Sequence, residues 1–335
     1  MRTKVAVIGG GNWGTTLAKI LGENGHEVLL WVREDDVCQE INEKRINGRF
    51  LPGVLLPEIR ATGDLEDLCH RCRLFLMVVP SHGFRGVAQR MGPHLDGEHI
   101  ILHATKGIEE GTFKRMSEIL REETPVRKIG VLAGPNLATE LSRCQPAGTL
   151  IASRYDEVVE RWQKLLHNHY FRVYGGRDVV GAEIGGTFKN IVALAAGAVD
   201  GLKLGDNTKA LLMTRGINEM ARFGAVMGAL VLTFGGMAGF GDMVATCASP
   251  HSRNHQVGER LARGEKLDAI LADMKMVAEG VKAAKAVHSF AITHGLNLPI
   301  VEAVYRVLYE HATVAEVLQD LMTIDAGQEF QGLAV

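Results

Sequence analysis

The reading turns on VAVIGGGNWGTTL, Val5 to Leu17. Val5, Ala6, Val7 and Ile8 are apolar residues suited to a buried strand. Gly9, Gly10 and Gly11 follow, then Gly14 after Asn12 and Trp13, and Thr15-Thr16-Leu17-Ala18 opens a helical pattern. This is G-x-G-x-x-G with a strand before it and a helix after it, the setting in which the pattern signifies dinucleotide binding. Gly9 permits the tight turn, Gly11 lets backbone approach a pyrophosphate, and Gly14 lets helix and strand pack closely. The first turn of the helix presents N–H groups to the anion.

Outward from that turn, a helix is expected from about Asn12 to Glu23 and a strand over His26–Val32. The residue at the end of that second strand bears on the cofactor. An acidic side chain about 20 residues past the glycines would bind the ribose 2′-OH of NAD, whereas an arginine pairs with the 2′-phosphate of NADP. Arg33 stands there, ahead of Glu34 and Asp35, so NADP leads and NAD stays open; the alternative is an exposed arginine opening a polar helix. Arg49–Pro57, with its prolines, predicts a loop. Continuous apolar runs at Leu74–Val79, Ile100–Ala104 and Ile129–Leu132 predict parallel strands covered on both faces. Thr149–Ser153 and Tyr170–Tyr174 predict two more, joined by a helix from Tyr155 to His167. Lys106 and Gly134–Asn136 follow strand ends, where ligands gather in open α/β sheets.

Near Asp178 the composition changes. Helical patterns at Asp178–Leu202, Ala210–Phe223, Gly280–His294 and Pro299–Tyr309 follow, without convincing strands. The expected fold is α/β, a Rossmann-type doubly wound sheet over residues 1–180, followed by an all-α C-terminal domain over 181–335. A chain of 335 residues exceeds one comfortable core, in keeping with two domains.

Composition excludes other classes. With 46% hydrophobic and 23% charged residues and a net charge of −2, the chain lacks the basic footprint of a nucleic-acid binder. No apolar run reaches a membrane-spanning length, and Met1–Lys4 leads straight into a strand without a signal-peptide core, so a cytoplasmic chain is expected. Five scattered cysteines read as reduced thiols. Cys69-His70-Arg71-Cys72 lacks the second pair of a zinc site, and His251 and His255, at i,i+4 spacing, lack an acidic third ligand nearby in sequence; no metal is expected.

Three features carry the chemistry. Lys189, in Gly185–Asn190 and followed by Ile191-Val192-Ala193-Leu194, is either a snorkelling surface residue or a buried proton donor. Gly235–Asn254 surrounds Asp242 with glycines, places Thr246 one helical turn on, and ends in Ser252-Arg253-Asn254, a set suited to a phosphate dianion or simply to a helix cap. Glu279 is either a first-turn helix acid or a ligand of the cofactor ribose.

Taken together, VIGGGNWGTTLA (from Val7), ATKGIE (from Ala104), AGPNLATE (from Ala133), GGTFKN (from Gly185), GFGDMVATC (from Gly239), SRN (Ser252–Asn254) and AEG (Ala278–Gly280) resemble the bacterial-type NAD(P)-dependent glycerol-3-phosphate dehydrogenase family, in the family's order. The resemblance implies reversible reduction of dihydroxyacetone phosphate to sn-glycerol 3-phosphate, feeding glycerophospholipid synthesis, by a homodimer. It implies Lys189 as general acid–base. Lys106, Gly134, Asn136, Asp242, Ser252, Arg253 and Asn254 would join it in contacting substrate. Gly9, Gly11, Asn12, Trp13, Gly14, Arg33, Lys106, Ala138, Arg253, Val277 and Glu279 would contact NADP or NAD. Asn136 departs from the serine many members carry, and Ala278 departs from the usual triplet. The rivals are a β-hydroxyacid dehydrogenase of the 6-phosphogluconate or hydroxyisobutyrate kind and a non-catalytic dinucleotide-binding module. The unphosphorylated substrates have no use for Ser252–Asn254, and a binding module none for Lys189 and Asp242.

Overall fold

The structure is a computed structural model and describes residues 2–274, 278–325 and 328–329. The chain divides into two compact units: Met1–Lys106 with Arg115–Val179, and Gly107–Lys114 with Val180–Val335.

The first unit is built on an eight-stranded sheet. From one edge its strands are β10 (Phe171–Gly176), β9 (Ala147–Ser153), β8 (Lys128–Ala133), β7 (Ile100–His103), β6 (Leu74–Met77), β1 (Lys4–Ile8), β2 (Glu27–Trp31) and β5 (Ile59–Thr62). Every neighbouring pair is parallel except β8 and β9. Along β1, Val5 and Val7 enter one core with Val28, Leu30 and, from helix α1 (Asn12–Glu23), Leu17 and Leu21. Ala6 and Ile8 enter the other core with Leu29, Phe75 and Phe84. Both faces are covered, which is why these strands read as unbroken apolar runs.

Two local differences from the sequence reading stand out. β5 lies at the sheet edge with Ile59 and Ala61 buried and Arg60 exposed, so it has no apolar run to announce it. Arg49–Pro57 is not simply a loop, because Leu51–Leu55 (β4) pairs antiparallel with Ile46–Asn47 (β3). Its Pro52 and Gly53 are exposed while Leu51 is buried, and proline is tolerated on such an edge ribbon.

The second unit is helical. Its axis is α8 (Val179–Gly201), in which residues 181–194 are all buried. Among the described residues it is the one helix long and apolar enough to cross a membrane, but it is almost wholly buried inside the protein, as a core helix is. Around it stand α9 (Asp206–Val226), α10 (Asp242–Ala248), α11 (Arg253–Ala262), α13 (Glu279–His294) and α14 (Pro299–Tyr309). Glycines allow three close approaches to α8. A Cβ at Gly197 would lie 1.9 Å from the His255 carbonyl oxygen, one at Gly258 would lie 1.8 Å from that of Leu194, and one at Gly185 would lie 2.2 Å from that of Ala238. Glu219 on α9 is buried and caps α14, its two oxygens accepting from the backbone N–H groups of Ile300 (2.7 Å) and Val301 (3.2 Å).

A cut near residue 180 places Gly107–Lys114 with the first domain, whereas this segment packs within the helical unit. Phe113 meets Phe290 edge to face with ring centroids 5.6 Å apart, and Glu110 pairs with Lys285 at 2.6 Å.

Candidate active site

In the helical unit, the sequence alternatives for Lys189 resolve to burial. Its side chain is 8% exposed, and its Nζ donates to Asp242 Oδ1 at 2.5 Å and to Thr246 Oγ1 at 2.6 Å. Thr246 in turn donates its own hydroxyl proton to the backbone carbonyl of Asp242 at 2.6 Å. A buried ammonium without partners is costly, so this arrangement is what allows a charged amine to sit in an apolar helical core. Asp242 and Thr246 lie one turn apart on α10, so both face the same way. α10 starts where a π-helical turn, Met237–Gly241, ends; such turns recur at functional sites.

One residue on from Lys189, Asn190 Oδ1 accepts from Asn254 Nδ2 at 2.9 Å, and Asn254 Oδ1 accepts from the Gly280 N–H at 2.9 Å. Asn254 therefore ties α8, α11 and the start of α13 together. Ser252 caps α11 by accepting from the His255 N–H, and Arg253 opens that helix with an exposed side chain. A capped helix start carrying an arginine, a hydroxyl and an amide is chemically matched to a phosphate dianion.

In the sheet unit, the glycine turn has the form that a dinucleotide needs. Gly9 has φ +122° and a Cβ there would lie 2.5 Å from the Val78 carbonyl oxygen; one at Gly14 would lie 1.9 Å from that of Gly9. At Gly11 a Cβ would meet nothing within 4 Å, which leaves open space at the position where backbone approaches a pyrophosphate. No side chain caps the start of α1, and the buried Oδ1 of Asn12 has no hydrogen-bond partner within the protein. These are the features of a cradle whose donors and acceptors are completed by a ligand. Asn47 holds the turn from outside, donating to the Gly10 carbonyl at 2.9 Å and to Thr15 Oγ1 at 2.8 Å.

The comparisons with known proteins agree over both units. Residues 4–159 match the family description "NAD-dependent glycerol-3-phosphate dehydrogenase N-terminus", and residues 178–319 match its C-terminal counterpart. A glycerol-3-phosphate dehydrogenase [NAD(P)+] of Bacillus thuringiensis is 45% identical over 324 residues, 96% of this chain and 95% of that protein. The chain belongs to the NAD(P)-dependent glycerol-3-phosphate dehydrogenase family. Among solved structures, the glycerol-3-phosphate dehydrogenase of Coxiella burnetii superposes with a TM-score of 0.92 at 35% identity, covering 96% of this chain and 99% of that one. The Saccharomyces cerevisiae enzyme superposes with a TM-score of 0.84 at 29% identity, covering 95% and 99%. Members of this family are oxidoreductases that reduce dihydroxyacetone phosphate to glycerol 3-phosphate with NAD(P)H, and this chain is one of them.

The remaining residues that the family resemblance singled out fall as follows. Lys106 and Gly134 lie beyond the carboxyl ends of β7 and β8, and Gly134 has φ +155° with a would-be Cβ 3.0 Å from Thr149 Cα. Asn136 has both ends of its amide engaged by β9, donating to the Gly148 carbonyl at 3.0 Å and accepting from Thr149 at 2.8 Å, so its side chain anchors the loop. Ala138 starts a short helix (Ala138–Ser142) and its carbonyl accepts from Thr16 on α1 at 3.4 Å. Trp13 is half-buried against the sheet core, and Arg33 is 81% exposed with its guanidinium 2.9 Å from Glu34. Glu279 is the first residue of α13. Val277 lies outside the described residues.

Of the sequence motifs set aside earlier, His255 Nε2 donates to Asp200 Oδ2 at 2.7 Å. Cys69 and Cys72 are buried free thiols. Sequence reasoning missed Asn190 and Asn47. Asn190 had a signal in its position beside Lys189, whereas Asn47 reaches the glycine turn from 37 residues away and had none.

Proposed function

We propose that Lys189 is the general acid–base of the reversible reduction of dihydroxyacetone phosphate to sn-glycerol 3-phosphate. The observation that carries this is the buried Lys189 ammonium held between Asp242 and Thr246. Arg253, Ser252 and the second amide proton of Asn254 bind the substrate phosphate, and binding energy from that remote dianion orients the ketone. Lys189 delivers its proton to the C2 oxygen as the carbonyl carbon is reduced, and recovers it in the reverse direction. Asp242 keeps the ammonium oriented throughout. Lys106, Gly134 and Asn136 are assigned to substrate binding as well. The nicotinamide, when bound, supplies the hydride. Gly9, Gly11, Asn12, Trp13, Gly14, Ala138, Val277 and Glu279 are assigned to its binding.

The test is oxidation of NADPH and NADH with dihydroxyacetone phosphate, followed by absorbance, in the wild type and in Lys189→Ala. Loss of about 10²–10⁴ in kcat with unchanged NADPH binding is expected. Wild-type turnover by the variant would overturn the assignment.

NADPH is the proposed preferred cofactor, supported by the exposed guanidinium of Arg33 just past the end of β2. A cytoplasmic homodimer is proposed as well. Five free cysteines suit a reducing compartment, and the helical unit leaves Leu211, Leu230, Leu232 and Met322 exposed for a partner to cover. Light scattering on the purified protein tests the dimer.

A further inference from the structure

The Cys69-His70-Arg71-Cys72 motif is used by the structure in an unexpected way. Both cysteines turn into the core of the sheet unit, away from the surface. His70 instead points outward from helix α3 (Leu65–Arg71), one turn beyond Glu66, and meets His94 at the end of the turn Gly92–His94.

The three heads converge. Glu66 Oε1 lies 3.8 Å from His70 Nε2 and 3.6 Å from His94 Nδ1, and the two imidazoles stand edge to face with centroids 5.4 Å apart. One ligand atom from each residue fits within a common span of 4.8 Å. The two measured separations are too long for direct hydrogen bonds. They are close to the edge of a tetrahedron with bonds of about 2.0–2.2 Å, which is about 3.3–3.6 Å. Two imidazoles and one carboxylate, with a fourth position open, form a recognised donor set for zinc.

We propose that Glu66, His70 and His94 form a surface site for a divalent transition-metal ion of the zinc class, with water in the fourth position. The site is separate from the cofactor cradle. Its residues lie on the segments that lead into β6 and β7 at their amino ends, whereas the glycine turn leaves β1 at its carboxyl end. Glu66 and His70 are 65% and 61% exposed, so the ion is exchangeable and adds to a fold that forms without it.

The experiment uses the full chain, freed of metal by chelation and titrated with zinc chloride in a calorimeter and with cobalt chloride in a spectrophotometer. Saturable binding of a single ion per chain is expected, with the visible bands of four-coordinate cobalt. His70→Ala and His94→Ala are each expected to weaken binding by at least about tenfold. Cys69→Ala and Cys72→Ala are expected to bind as the wild type does. The histidine variants change exposed or half-buried positions, so their unfolding midpoints and dehydrogenase turnover without metal should match the wild type and show that they fold. Undiminished binding in the His70→Ala/His94→Ala double variant, absence of saturable binding in the wild type, or octahedral cobalt spectra would overturn the site.

Discussion

Thr246 accepts a hydrogen bond from Lys189 and gives its own proton to the main chain of Asp242. The direction of that second bond fixes the first. With its single hydroxyl proton committed, Thr246 presents a lone pair to the amine, and the amine must be the donor. On the proposed assignment, this bond orients Lys189 as the proton donor that reduction of a ketone requires.

Thr246→Val keeps the size of the side chain and removes that acceptor. We expect kcat to fall by about tenfold or more while KM for dihydroxyacetone phosphate is retained, since misplacing a proton donor acts on the transition state. Thr246→Ser should recover most of the rate. Wild-type turnover by the valine variant, or a loss in the serine variant larger than in the valine one, would mean that the hydroxyl is not what matters.

Arg253→Ala should raise KM for dihydroxyacetone phosphate strongly. The slow reduction of unphosphorylated dihydroxyacetone should be equal in variant and wild type, because no phosphate is present to be lost. A matching loss on both substrates would place the arginine elsewhere in the reaction.

Gly11→Ala and Gly14→Ala should separate binding from folding. The added methyl at Gly11 enters open space, so the unfolding midpoint should stay near that of the wild type while the affinity for NADPH, followed by fluorescence, drops. At Gly14 the methyl would sit 1.9 Å from the Gly9 carbonyl oxygen, so α1 must move and the midpoint itself should fall by several degrees.

Arg33→Ala should raise KM for NADPH and leave KM for NADH almost unchanged, because only the former carries the 2′-phosphate. Steady-state kinetics with the two cofactors in parallel decide this.

Glu219 predicts a pH dependence of stability. Burial pushes its carboxyl up to about 7, against the pull of the Ile300 and Val301 N–H groups and of Arg222 and Arg215. In the unfolded chain the same group ionises near its ordinary value of 4.5. Between those values the unfolded state binds fewer protons than the native one, so stability falls as pH rises from about 4.5 to 7, by about 1 kcal/mol per pH unit at its steepest. Denaturant midpoints across that window should show the decline in the wild type and a flatter profile in Glu219→Gln.

Much of this was legible beforehand because the responsible signals are local. A strand buried on both faces must be apolar throughout, so β1, β6, β7 and β8 announced themselves; β5, an edge strand with Arg60 facing out, could not. Glycines whose missing Cβ is needed, such as Gly9 and Gly14, stand at fixed spacing within one turn. Lys189 was visible as a lysine in an apolar helix, but whether it faced solvent depended on α10, more than fifty residues further on. The grip of Asn47 on the glycine turn and the convergence of His94 on Glu66 are purely tertiary. The segment Gly107–Lys114 joins the helical unit through Phe113 and Lys285, contacts that no feature of the segment itself foretells.

The glycines along α8 have a bearing on inherited and engineered variation. At Gly197 and Gly258 two main chains touch without intervening side chains, and Asn190 and Asn254 lie on those same two helices. A methyl group at Gly258 would wedge α11 outward and carry Ser252, Arg253 and Asn254 with it. Loss of catalysis can therefore arise at a residue that meets neither substrate nor cofactor, and a survey of disabling substitutions confined to the pocket lining would overlook it.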